Sequence, residues 1–72
     1  MGAKMYRYII YEVKDGAKKR WASCDVLTNA MQICNAISEK RQCHMIVVND
    51  NDTLIMYDIG SKYDPDRRMI IL

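Results

Sequence analysis

TNAMQICNAISEKR, residues 28–41, decides the fold, because it is the one stretch with a convincing helical pattern. At about 100° per residue, Ala30, Met31, Ile33, Cys34 and Ile37 fall in a single apolar sector, with Asn29, Gln32, Asn35, Glu39 and Lys40 opposite. Thr28 is the expected N-cap, since its hydroxyl can accept from the backbone N–H groups of the first turn. Leu27 would then pack back as a staple. Asp25 is the competing cap and would start the helix three residues earlier. Lys40 and Arg41 place positive charge at the C-terminal end, where the helix dipole favours it. The stripe reads as core, and it assigns no ligand role to Met31 or Cys34.

On either side of this helix the period changes from 3.6 to 2. Residues 5–14, MYRYIIYEVK, are rich in β-branched and aromatic side chains and predict a strand. Asp15-Gly16 suits a two-residue type I′ turn, because glycine takes positive φ freely and aspartate tolerates it. Residues 17–24 return as a second strand. The expected register sets Lys14 against Ala17, Glu12 against Lys19 and Ile10 against Trp21. The last two pairs contribute about 0.2–1 kcal/mol each. After the helix, residues 42–48 end in the apolar run HMIVV, and residues 53–59, TLIMYDI, form its partner strand. Asn49, Asp50, Asn51 and Asp52 between them are turn formers that bond their own backbone. Gly60 then breaks the strand. Residues 60–68 are expected to form a loop, because Pro65 has no N–H for a ladder. The terminal MIIL, residues 69–72, is too apolar to lie loose in water. It adds an edge strand, tucks against the sheet, or acts as a sticky end that dimerises.

The resulting expectation is a single α+β domain over residues 1–72, with one helix on an antiparallel sheet of four or five strands. A single helix covers one face only, and both faces of the first hairpin are apolar. One carries Tyr6, Tyr8, Ile10 and Trp21, ending in Glu12 and Lys19. The other carries Met5, Ile9, Tyr11, Val13 and Ala22, interrupted by Arg7 and Arg20. The uncovered face either tolerates water through its tyrosines or serves as a contact surface.

Composition narrows the function classes. With 72 residues there is room for one core and no cleft between domains, which weighs against an elaborate enzyme. Half the residues are hydrophobic, enough for a folded chain rather than a disordered one. A net charge of +2 implies nucleic acid only if the basic residues cluster. No apolar run approaches the ~20 residues of a membrane span. No secretory core follows Met1-Gly2-Ala3-Lys4, and Tyr6 stands where a myristoylation start has serine or threonine. Cys24, Cys34 and Cys43, odd in number and without a C-x-x-C pair, read as reduced thiols of a cytoplasmic protein.

Chemistry-bearing constellations are sparse. The three glycines are far apart and make no phosphate loop. Cys43 and His44 are adjacent on a strand, where neighbours point to opposite faces, so neither a dyad nor a zinc site is expected. The NDND run lacks the glycine at the sixth and the glutamate at the twelfth place of a calcium loop, which here hold Leu54 and Gly60. The expectation is therefore a non-enzyme without metal or cofactor. The basic runs are more informative: Lys18, Lys19 and Arg20; Lys40 and Arg41; Arg67 and Arg68. Beside strand aromatics such residues can stack bases and neutralise phosphates, or they can simply guard a sheet edge.

The order strand–turn–strand–helix–strand–turn–strand, with YRYIIYEV at residues 6–13, LTNAMQIC at 27–34 and KRQCH at 40–44, resembles the small single-domain proteins by which phages inhibit CRISPR defence complexes. The likeness covers about two thirds of the chain and is one of pattern, so it carries over no motif residue. It implies a non-catalytic inhibitor that occupies a surface of a nucleic-acid-targeting complex, blocking the nucleic acid or locking a conformation. Because aromatics and arginine are the usual interface anchors, the expected contact residues are Tyr6, Tyr8, Lys19, Arg20 and Trp21. The alternatives are a nucleic-acid binder using the same surface and a homodimer joined through the open sheet face.

Overall fold

The computed structural model describes residues 7–64. Five of its elements build the domain: β1 Tyr8–Lys14, β2 Ala17–Cys24, α1 Leu27–Arg41, β3 His44–Asn49 and β4 Ile55–Ile59. A 3₁₀ turn, Ser61–Tyr63, follows. The four strands form one antiparallel sheet in the order β2-β1-β3-β4, with α1 on one face. The α+β architecture expected from the sequence is the one observed. No helix among the described residues is long and apolar enough to cross a membrane.

Local chemistry explains each boundary. Asp15 and Gly16 both take positive φ, 55° and 83°, as a type I′ turn requires. The helix begins one residue before the expected Thr28. Its cap is Val26, whose extended backbone presents the carbonyl to the Ala30 N–H at 3.2 Å, with no side-chain cap bond. Leu27 thereby joins the helix and packs into the core, so burial of an aliphatic side chain outweighs the hydroxyl cap. At the other end Gln42 adopts the left-handed conformation (φ 54°), and its N–H bonds the Ser38 carbonyl. That reversal delays the third strand to His44, two residues later than expected. The fourth starts at Ile55 rather than 53, because the Asn49 side-chain oxygen accepts from the N–H groups of both Thr53 and Leu54 (2.8 and 3.0 Å). Residues 5 and 6 of the expected first strand, and the expected loop and tail segments from 65 to 72, lie outside the described residues.

The buried positions of α1 are Ala30, Cys34 and Ser38, one per turn and all small. They let the helix axis approach the sheet closely, while Ile33 and Ile37 flank the contact half-buried. Beneath them lie Ile10, Met45 and Val47, all fully buried, with Ala22, Tyr8, Tyr57 and Ile59 around the rim. Ser38 carries the one hydroxyl on this stripe, and it is satisfied by donating to the Cys43 carbonyl at 2.8 Å. The opposite face holds a second apolar cluster: Ile9, Tyr11, Val13, Ile46 and Val48, with Ile55 against it.

The buried Cys34 thiol donates to the Ile46 carbonyl at 3.9 Å, and burial pushes its pKa up from 9.0 to about 11. The folded state therefore holds this proton more tightly than the unfolded chain does. The associated stability is complete below pH 9 and is lost as pH rises from 9 towards 11. Two pKa units correspond to about 2–3 kcal/mol. The urea midpoint should fall across that window in the wild type and fall distinctly less in Cys34→Ala; equal slopes for the two proteins would reject the assignment.

Candidate protein-binding surface

The hairpin register holds as expected from Lys14↔Ala17 through Tyr11↔Arg20 and slips between Tyr11 and Ile10. Tyr11 pairs with Arg20 and Ile10 with Ala22, so Trp21 is an extra residue in β2. The expected pairing of Ile10 with Trp21 is thus corrected, and Ala22 moves to the helix face. The physical reason is space. The small side chains of α1 bring the helix close over Ile10, where alanine fits and an indole does not. The bulge sends Trp21 instead to the rim between β2 and α1.

There Trp21 lines a groove of about 380 Å³ with Ala36, Ile37, Lys40 and Arg41. Its indole N–H donates to Glu12 Oε1 at 3.0 Å. The Arg41 guanidinium lies over the ring, 4.8 Å from its centroid, and its Nη2 stands 3.9 Å from the same carboxylate oxygen. Glu12 thus holds both partners, and the indole is fixed from its edge and from one face. Trp21 remains 38% exposed. An aromatic side chain already restrained in one orientation loses little entropy when a partner covers it.

The other expected contact residues are dispersed. Lys19 is exposed opposite Glu12, on the Trp21 side of the hairpin. Arg20 points to the other face, where it shares a concavity with Arg7, Ile9 and Asp50. Tyr8 is half-buried against the helix-side core, and Tyr6 lies outside the described residues. The basic run of residues 18–20 is split in the same way. Lys18 stands over the Tyr11 ring (4.5 Å) and 3.6 Å from Asp52, on the face away from α1. Asp52 also accepts from the Tyr11 hydroxyl at 3.0 Å, and burial together with that bond raises the phenol pKa. Sequence reasoning missed Arg41 and Ile37 as parts of the surface. Their helical spacing from Lys40 and Ala36 was visible, but their proximity to Trp21 required the bulge.

A second polar cluster lies at the β1–β2 turn end of the sheet. His44 Nε2 is 2.7 Å from Asp58 Oδ1, and its Nδ1 is 3.9 Å from Asp64 Oδ2, without a hydrogen-bond partner among the described residues. Asp64 also accepts from the Asp15 backbone N–H at 3.4 Å. This carboxylate fastens the segment after β4 to the β1–β2 turn, which is a structural task. Cys43 stands apart from His44 on the helix side, its thiol 3.8 Å from the Ile37 carbonyl and its pKa raised chiefly by burial. The strand alternation that argued against a Cys–His dyad is the arrangement seen. Among the described residues, no group of three or more His, Cys, Asp or Glu side chains could hold a metal ion.

No family model, curated protein or solved structure matches the chain.

Proposed function

We propose that the protein is a small non-catalytic binding module that acts by occluding a partner protein's surface, of the kind by which phages inhibit nucleic-acid-targeting defence complexes. The observation that supports this reading best is the restrained, exposed Trp21 at the mouth of the β2–α1 groove. Trp21 supplies an anchor, Ala36 and Ile37 an apolar floor, and Lys19, Lys40 and Arg41 a cationic rim. The matching partner surface is acidic and presents an aliphatic side chain to the groove. Aromatic and arginine anchors of this sort account for most of the affinity in protein interfaces.

Direct nucleic-acid binding is the weaker reading, because the basic residues among those described do not form one patch. Lys18 and Arg20 face one way, and Lys19, Lys40 and Arg41 the other. The test is affinity capture from bacterial lysate followed by titration of the captured partner. Trp21→Ala should weaken binding at least tenfold, about 2 kcal/mol or more. Lys40→Glu should weaken it by a smaller, salt-dependent factor. Arg20→Glu, on the opposite face, should leave it unchanged. A partner retained by Trp21→Ala but lost by Arg20→Glu would move the surface to the other face. Association with bare DNA or RNA that falls steeply with salt would replace the reading altogether.

A further inference from the structure

A cavity of about 220 Å³ opens where the ends of β1 and α1 meet the start of β3 and the 3₁₀ turn. Its floor is buried and its rim is not: Val13, His44 and Asp64 are 2%, 7% and 3% exposed, whereas Lys14, Arg41 and Gln42 are exposed. One atom of the floor is unsatisfied. His44 Nε2 lies 2.7 Å from Asp58 Oδ1, and a carboxylate can only accept, so Nε2 carries the hydrogen. In the neutral imidazole Nδ1 then keeps a bare lone pair, and this buried nitrogen has no hydrogen-bond partner. Nδ1 is on the cavity side of the ring, because Asp64, 3.9 Å from it, lines the cavity and Asp58 does not. A buried acceptor left unmade is destabilising, so the floor calls for a donor. A water takes up about 30 Å³ of liquid, so the cavity has room for a small molecule.

We infer that this cavity binds a small zwitterion of the amino-carboxylate class, its ammonium on His44 Nδ1 and its carboxylate on Lys14. An ammonium offers three donors and no acceptor, which suits a bare imidazole nitrogen. The floor is also the negative pole of the cavity, with Asp64 Oδ2 3.9 Å from Nδ1 and Asp58 behind the ring. Asp64 keeps partners of its own, the Asp15 N–H among them, and acts on the ligand through its charge. The rim is the positive pole. Arg41 there is engaged with Glu12 and the Trp21 ring, and no ion pair among the described residues engages Lys14. Glu12 and Asp64 balance Lys14 and Arg41 around the cavity, which leaves a dipole across it rather than a net charge. A simple cation is opposed by the rim and a simple anion by the floor, whereas a zwitterion meets both. The site shares Glu12 and Arg41 with the wall of the Trp21 groove, yet it does not depend on the binding surface proposed above.

His44 is the only histidine of the chain, so a single imidazole reports on the site. Two-bond ¹H–¹⁵N correlation spectra of the intact wild-type protein, at about pH 8 and above the ordinary imidazole range, should show hydrogen on Nε2 and none on Nδ1. L-Alanine, β-alanine and γ-aminobutyrate differ in the spacing of their two charges. At least one of them should move the Nδ1 resonance with a Kd of about 1 mM or tighter. Methylammonium and acetate should each bind about tenfold more weakly than the best of the three. Lys14→Gln, a substitution at an exposed position, should weaken that zwitterion about tenfold and leave methylammonium no weaker. A protonated Nδ1 would overturn the inference, because the imidazole would then supply its own donor to Asp64. A resonance unmoved by all three probes would leave the cavity to water and overturn it as well. So would methylammonium binding as tightly as the best zwitterion, or a Lys14→Gln variant with undiminished affinity.

Discussion

Gly60→Ala should destabilise the domain by about 2–4 kcal/mol, the combined cost of a strained backbone and an overfilled contact. Gly60 has φ 81°, a left-handed conformation that alanine adopts only with strain. A Cβ at this position would also run into Ser38 Oγ and the Cys43 carbonyl oxygen. Those two atoms are already hydrogen-bonded to one another, and the Cys43 N–H returns a bond to the Ser38 carbonyl at 3.3 Å. Neither can retreat without breaking the junction between α1 and β3. For a chain of this size total stability is roughly 4–11 kcal/mol, at about 0.05–0.15 kcal/mol per residue, so the loss is a large share of it. Urea denaturation followed by far-ultraviolet circular dichroism measures it. A loss under about 1 kcal/mol would mean that the segment after β4 yields freely and is not pinned against the helix terminus.

The second large effect is expected from Ile10→Ala, about 2–5 kcal/mol. Ile10 is fully buried in β1, which pairs with both β2 and β3, and it lies directly under the small-residue stripe of α1. Because Ala30 and Cys34 in the same cluster are short, neither can extend into the vacated space, and the cavity should persist. Leu54→Ala is the control: Leu54 is 58% exposed, so its loss should stay within about 0.5 kcal/mol. Comparable denaturation midpoints for the two variants would show that the helix-side core is not where the stability lies.

The element order, the helix stripe and both turns were legible in the sequence because each rests on local chemistry. Hydrophobic period, the turn preferences of Asp15-Gly16, and the side-chain bonding of Asn49 act over a few residues. The order β2-β1-β3-β4 was not legible, since it depends on β1 pairing with β3 across the intervening helix. The choice of helix face was hidden for another reason. Ile9, Tyr11 and Val13 are as apolar as Tyr8, Ile10 and Ala22, and an alternation rule has no contrast to read when both faces are buried. Of the expected contact residues, Trp21 and Lys19 share one side of the hairpin and Arg20 takes the other. The Trp21 bulge that decides the groove is a response to how closely α1 approaches, and no window of sequence contains that distance.

The bulge at Trp21 has a counterpart. In the pairing of β4 with β3, Val47 faces Tyr57 and Val48 faces Ile55, which leaves Met56 as an extra residue. Each outer strand of the sheet thus carries one surplus residue, and each of these is 38% exposed. A strand from another molecule needs a straight row of backbone donors and acceptors to zip against. Both borders of this sheet are interrupted near the middle, and the β2 border also displays Lys18, Lys19 and Arg20. Among the described residues, both borders of the sheet therefore offer side chains rather than a continuous row of backbone donors and acceptors. Such borders disfavour edge-to-edge pairing in a chain of which half the residues are hydrophobic.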